Sequence, residues 1–403
     1  MLAFSKEEYQ DRLRKVKERM AEQGIDLLLV SDPANICYIS GYDAWSWYVH
    51  QLLVVPMDED MPYLVLRGSD VPGIRHTTWL DDDHAWGFPD LYVDNAFGDH
   101  VMDFASDLIN QHGFADNKVV AVEKDCQQFT GACLEHLVKG LPNAKAIVDS
   151  KLLVNWVKVV KSDAEVEAVR VAAKITQKIF ETVFETVHPG VRQCDVAAAV
   201  YAVGARGVDD YAGEYAAMFP FMACGERSDA CHLAWTNEPY KEGEVLMFEW
   251  SGVHKRYHMP TCRTIAIGEP KYQSMYDTTQ IVTEALTAAL GAAKPGNLVE
   301  DVPLAADKVY EKYGVPTEGH VRMGYSVGLN YPPNWAEHTI SLRKGDKTVL
   351  QKNMTFHLRS DNWGIVLDPT EEPYGIHFSE GIVITDKGAE PLTNLPRELH
   401  IAR

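Results

Sequence analysis

The stretch "EVLMFEWSGVHKRYHMPTCRT", residues 244–264, is where the sequence commits to a fold. Two apolar runs of strand length flank a short basic turn, so the pair reads as neighbouring strands. "VLMFEW" is apolar enough to be buried on at least one face, and an ionised Glu249 within it needs a partner or a chemical task. Arg263, on the second run, is the natural structural partner. The turn carrying His254, Lys255, Arg256 and His258 reads as a solvated connection or a contact with a second subunit.

Similar tension recurs on either side. Upstream, "SDACHLAWTNEPYKEGE" (228–244) presents His232 in a polar loop. Downstream, "RMGYSVGLNYPPNWAEH" (322–338) is a glycine-bracketed loop, and "MTFHLRSDNWG" (354–364) with "GIHFSEGIVIT" (375–385) puts His357 and Glu380 in apolar runs. Each of these residues alone reads as structural. Glu249, His357 and Glu380 together, on three apolar strands of one sheet, are better explained by a shared polar site.

The organisation around this region is bipartite. Residues 1–155 read as an α/β domain: Ser5 with Glu8 forms a capping box, "IDLLLV", "QLLVVP", "PYLVLR", "KVVAVEK" and "KAIVDS" read as strands, and helical stretches separate several of them. Ser162 and Glu165 cap a long helix that opens a second, α+β domain over residues 156–403. That domain repeats itself. "HPGVRQCDV" (188–196) and "KPGNLVEDV" (294–302) share Pro-Gly, four residues, then Asp-Val, and each precedes a Gly-Val, at 207–208 and 314–315. Pro-Gly makes a turn and the acid opens the next helix, which fits either two look-alike helix-turn-helix connections or, the sharper expectation, a duplicated half-domain with pseudo-twofold symmetry.

Bulk properties narrow the partners. The 403 residues are 46% hydrophobic and 24% charged, with a formal net charge of -20, which disfavours nucleic acid and anionic membranes. No run of 18 apolar residues predicts a membrane span, and the charged start lacks the apolar core of a secretory signal. Seven scattered cysteines without a CxxC pair predict buried free thiols in a reducing cytoplasm.

The domain order, the helix at "VKSDAEVEAVR", the repeated Pro-Gly turns, "EGEVLMFEWSG…CRTIAIG" and "FSEGIVITDKGAEPL" resemble the creatinase and Xaa-Pro peptidase family, whose catalytic domain has the pita-bread fold. The likeness extends to a creatinase-type N-terminal domain. The peptidases of this family hold two metals with Asp, Asp, His, Glu and Glu. Carried onto this chain, those slots hold Glu249, Pro260, Tyr325, His357 and Glu380, so one slot in five keeps its residue. Proline offers no side-chain ligand, and two-metal hydrolysis needs bridging oxygens. The expectation is therefore no metal and no cofactor, ranked above a single ion on Glu249, His357 and Glu380.

Longer segments, "GYDAWSWYVHQ", "GVDDYAGEYAAM", "KRYH.P..RT", "GLNYPPNWAEHTISLRKGDKT" and "MTFH", are similar to the ectoine hydrolase branch. The resemblance implies a small zwitterionic substrate whose cyclic amidine is opened. On these residues Glu249 is expected to attack the amidine carbon, the covalent route being what the resemblance implies, or to activate water; His232, which falls on the catalytic histidine of creatinase, is the expected proton shuttle, and Glu380 a partner for an amidine N–H. Tyr325 and His357 would orient the ring; Trp235, Tyr331, Trp335 and Trp363 are wall candidates. Trp45 and Trp47 lie in a loop that, in creatinase-like homodimers, reaches the neighbouring subunit's site, and an indole face suits a flat cation. Arg359 and Arg322 are both candidates for the substrate carboxylate. The alternatives are another amidine or guanidine, as in creatinase, and a metal-dependent Xaa-Pro peptidase.

Overall fold

The computed structural model describes residues 2–93, 99–317, 322–362 and 367–403; Trp363 lies outside them. The chain divides into two compact units, Met1–Lys158 and Val159–Arg403.

In the first unit the Ser5 hydroxyl accepts the Glu8 N–H and starts α1 (Lys6–Glu22), whose Tyr9, Leu13, Val16 and Met20 form one buried stripe. There follow β1 (Leu27–Val30), α2 (Pro33–Ser40), β2 (Leu52–Pro56), β3 (Tyr63–Arg67), α3 (Ile74–Thr77), β4 (Ala85–Phe88), α4 (Val101–Gln111), β5 (Val119–Val122), α5 (Gly131–Gly140), β6 (Ala146–Asp149) and α6 (Leu153–Val157). The strands form one sheet in the order β4-β3-β2-β1-β5-β6. Parallel pairs sit at both ends and an antiparallel β1-β2-β3 meander lies between them. Leu27, Val54, Val65 and Val120 from the sheet pack with Met102 and Ile109 of α4 and Cys133 and Leu137 of α5.

The second unit opens with α7 (Asp163–Thr186), held by reciprocal bonds between Ser162 and Glu165, and α8 (Gln193–Arg206). Then come β7 (Phe221–Cys224), β8 (Val245–His254), β9 (Tyr257–Ile267), α9 (Gln273–Ala292), α10 (Asp301–Lys312), β10 (Arg322–Val327), β11 (Ala336–Arg343), β12 (Thr355–Asp361), β13 (His377–Thr385), β14 (Gly388–Pro391) and β15 (His400–Ala402). The sequence echo is a structural one. Gly190 and Gly296 turn with φ of 86° and 88°, and Gly207 and Gly314 end the following helices at 74° and 71°. Left-handed backbone is needed at all four places, which is why glycine recurs there.

The strands form two sheets, β15-β9-β8-β7 and β11-β10-β12-β13-β14. This corrects the expectation of one sheet: Glu249 sits on β8, whereas His357 and Glu380 sit on β12 and β13. The sheets meet where β13 crosses β9. A Cβ on Gly381 would collide with Met259 and crowd the Pro260 carbonyl, so that crossing requires glycine.

The turn between β8 and β9 is also not the solvated connection expected. Lys255 and Arg256 take φ of 51° and 65°, and the Glu214 carboxylate accepts both of their N–H groups at 2.9 Å. Arg256 stacks on Tyr215 at 3.7 Å. His258 is buried, its Nδ1 3.0 Å from the Arg256 carbonyl while its Nε2 accepts the Ala217 N–H. Burial pushes its pKa down to about 3, so it stays neutral. Pro260 sits beside an opened stretch of the ladder. Gly252 N–H is accepted by Thr176 Oγ1 of α7, which donates to the Met259 carbonyl, and Met259 N–H is accepted by Ser251 Oγ, each at 2.8 Å. Side chains here replace rungs of the ladder, next to a residue that has no N–H to offer.

Candidate active site

Antiparallel register sets which side chains can meet. Glu249 lies opposite Cys262 on β9 and Phe221 on β7. On β12, His357, Arg359 and Asp361 share one face by the two-residue period and lie opposite Gly381, Ser379 and His377. The two faces enclose a cavity of about 120 Å³ lined by Glu249, His232, Tyr325, Arg322, Arg359 and Asp361, with Cys231, Cys262 and His377 among the other lining residues.

Two carboxylates and two guanidinium groups thus share a small space. Glu249 is half-buried and lines the cavity, and the loss of water raises its pKa to about 7; Arg359 opposes the rise and Asp361 adds to it. His232 is lowered, first by burial and then by Arg359, and is therefore a neutral base near pH 7. Tyr325 accepts the Trp335 Nε1–H at 3.0 Å and lies 3.0 Å from His357 Nδ1, whose Nε2 lies 2.6 Å from Ser379 Oγ. Burial pushes the His357 pKa down to about 3. A neutral His357 leaves the Tyr325 hydroxyl hydrogen for His357 or for a group in the cavity.

The structure therefore brings together Glu249, His232 and Tyr325, together with both arginine candidates. It does not bring Glu380. Glu380 lies opposite Leu358 on the other face of β13, bonded to Arg263 at 2.8 Å, with Arg397 at 3.7 Å and the Thr393 hydroxyl at 3.4 Å. The expected Glu249–Arg263 pair is thus replaced by Glu380–Arg263, and the proposed contact of Glu380 with an amidine N–H is withdrawn. His357 and Trp335 are fully buried behind Tyr325 and act through it. Tyr331 is buried with the Arg256 guanidinium 5.4 Å from its ring, away from the cavity. Trp235 packs edge-on against Tyr201 and Phe219. Trp45 and Trp47 belong to the first unit, with rings 4.6 Å apart and Trp45 exposed.

A dinuclear metal centre does not fit these donors. Pro260 has none, Tyr325 is engaged by Trp335 and His357, His357 lies between Tyr325 and Ser379, and Glu380 is held by Arg263. Arg322 and Arg359 supply positive charge where cations would sit. Among the described residues, no trio of His, Cys, Asp or Glu donors gathers at this cavity. Asp361 and His377 were missed in the sequence. For Asp361 the signal was the alternation "HLRSD" (357–361), which puts the His357 imidazole, the Arg359 guanidinium and the Asp361 carboxylate on one face of a buried strand; His377, on the neighbouring strand, has no such local signal.

A second pocket of about 660 Å³ meets the cavity at His232; its wall is mainly apolar, with Tyr201, Met218, Phe219, Phe221 and Trp250.

Residues 167–386 match metallopeptidase family M24, and residues 12–160 match the creatinase/prolidase N-terminal domain. The chain is 36% identical to the ectoine hydrolase of Halomonas elongata, over 99% of this chain and 98% of the relative. It is 40% identical to an uncharacterized hydrolase/peptidase of Sinorhizobium fredii, again covering 99% and 98%. A prolidase from Thermococcus sibiricus superposes with a TM-score of 0.81 at 17% identity, covering 98% of this chain and 99% of the other, which shows the shared fold.

Proposed function

Starting from a chain that belongs to metallopeptidase family M24 and carries a creatinase/prolidase N-terminal domain, we propose that this hydrolase of C–N bonds opens the cyclic amidine of ectoine, and of 5-hydroxyectoine, to an N-acetyl-2,4-diaminobutyrate without a metal ion. The observation that carries this reading is Glu249: a carboxyl with its pKa raised to about 7, opening onto a small cavity beside two arginines and a histidine.

An amidinium brings its own positive charge to the carbon that is attacked, so no Lewis acid is needed to polarise it. Its approach also stabilises the Glu249 anion and restores the charge that burial disfavours. Arg322 and Arg359 hold the substrate carboxylate by charge-assisted hydrogen bonds. Glu249 adds to the amidine carbon, or takes a proton from the water that does. His232 receives a proton and hands it to the departing ring nitrogen; overall one C–N bond breaks and one water is consumed. Asp361 takes the place foreseen for Glu380, accepting an amidine N–H. Tyr325, held by Trp335 and His357, orients the ring.

The larger apolar pocket at His232 favours a second reading, an amidine or guanidine with a bulkier apolar substituent. A homodimer in which the Trp45–Trp47 loop reaches the partner's site belongs to the same proposal and is supported by the exposure of Trp45 and Tyr48. So does a cytoplasmic location, supported by seven free cysteines. Among the described residues, no helix is long and apolar enough to cross a membrane.

The test is incubation with ectoine, 5-hydroxyectoine, creatine and an Xaa-Pro dipeptide in the presence of a strong chelator, with products read by mass. The expected result is ectoine gaining one water at an undiminished rate. Turnover of creatine or of no compound tried would sink the substrate. Dipeptide cleavage that chelation abolishes would sink the mechanism.

A further inference from the structure

The first unit holds a cluster that the proposed reaction does not use. His50, His100 and Cys133 each present a donor atom, and the three atoms lie within 4.8 Å of one another. His100 is the N-cap of α4 and Cys133 is the third residue of α5, so two helix N-termini converge on the thiol. His50 comes from the 41–51 segment that also carries Trp45 and Trp47.

Two features point to a ligand. His100 is buried at 4% exposure, and its Nε2 has no hydrogen-bond partner, a costly state for a buried polar atom. Cys133 Sγ lies 3.6 and 3.8 Å from the two ring nitrogens of His50. A tetrahedral ion with bonds of about 2.3 Å to sulfur and 2.0–2.1 Å to nitrogen separates S and N by roughly 3.6 Å, so the 3.8 Å between Cys133 Sγ and His50 Nε2 is within a small adjustment of the spacing an ion needs. His50 Nδ1 lies 3.0 Å from the Gln128 carbonyl, which fixes its proton there and leaves Nε2 as a lone-pair donor. The His100 ring is held by stacking on His136 at 4.5 Å, and His136 is held by Asp103 at 2.8 Å.

We propose that His50, His100 and Cys133 form a site for one thiophilic divalent cation of the zinc class, separate from the Glu249 cavity. One thiolate and two imidazoles are a zinc-type donor set, with water completing four-coordination. His100 Nδ1 now accepts the Met102 N–H at 3.1 Å, so its proton rests on Nε2. Metal binding moves that proton to Nδ1 and releases the Met102 cap. The ion would tie the 41–51 segment to the first turns of α4 and α5, setting the position of the Trp45–Trp47 loop.

The test uses the full chain, stripped with chelator and titrated with cobalt(II) and then zinc. One equivalent of cobalt should give the near-ultraviolet charge-transfer band of a thiolate ligand and the visible bands of tetrahedral geometry. Zinc should displace it and protect Cys133 from alkylation, as mapped by peptide mass. Cys133→Ser should abolish the thiolate band, and His50→Gln, a change at a partly exposed residue, should weaken binding by about tenfold or more. Cys262→Ser should leave the band intact. A stripped protein that folds but shows no thiolate–cobalt band overturns the site, as does a band that survives Cys133→Ser. Because the readout is spectroscopic, it stands whether or not the protein turns over ectoine.

Discussion

Two glutamates on buried strands, Glu249 and Glu380, look equivalent in sequence and have opposite surroundings. Glu380 is bonded to Arg263, with Arg397 and Thr393 close by. Among the described residues, no such ion pair holds Glu249: the charges that act on it are Arg359, which favours its anion, and Asp361, which opposes it. Burial raises the pKa of both carboxyls. For Glu380 the protein answers that penalty with its own cation. For Glu249 it leaves the penalty largely in place and opens a cavity beside it. A carboxyl in that position is poised for a cation brought from outside, which is the property an amidinium hydrolase requires.

Removing each carboxylate in turn is the sharpest way to break this contrast. Glu249→Gln should lower turnover of the proposed substrate by about 10²–10⁴-fold with little change in folding, measured by steady-state kinetics beside a thermal melt. Glu380→Gln should do the reverse. It strands Arg263 in the interior and should cost about 3–5 kcal/mol of stability by denaturant titration, with activity retained in the fraction that folds. Near-normal turnover in Glu249→Gln, or a specific loss of turnover without destabilisation in Glu380→Gln, would reverse the assignment.

Much of this contrast was legible in the residues and part was not. The two-unit architecture followed from local signals: the Ser162–Glu165 capping box and the repeated Pro-Gly turns are short-range features with one good structural solution each. Glu249, His232 and Tyr325 were placed together through the family likeness. Glu380 was misplaced because a one-residue step along β13 sends a side chain to the other face, and sequence alone does not give strand register. The basic turn was misread for a related reason. Its charges are neutralised by Glu214, about forty residues away in sequence and invisible to any local pattern. The choice between Arg322 and Arg359 dissolved, since both line the cavity.

The arginines offer a gentler test. Arg359→Gln removes a charge-assisted contact with the substrate carboxylate, worth about 1.5–3 kcal/mol, so KM should rise roughly 10- to 100-fold with a smaller effect on kcat. The same change should shift the pH profile. Arg359 lowers the Glu249 pKa, so its loss raises it, and the rise of kcat/KM with pH should move to higher pH than in the parent, where it is centred near 7. An unchanged inflection would mean that Glu249 is not the group titrating.

The smallest effect concerns stability. A carboxyl whose folded pKa lies near 7, against an unfolded value of 4.5, holds its proton more tightly when folded. Folding is therefore favoured by that group below about pH 4.5, and the advantage is lost as the pH rises through 7, where the buried group must ionise. Water entering the cavity moderates the penalty, leaving about 1–2 kcal/mol. Glu249→Gln carries no such charge, so the variant should be more stable than the parent by about that amount at pH 8 and nearly equal to it at pH 4, by denaturant midpoint at each pH. A gain at pH 8 that accompanies lost turnover would identify Glu249 as a site where stability is given up for reactivity. Equal midpoints at both values would mean that the Glu249 charge already has a partner in the folded chain, and the contrast with Glu380 would collapse.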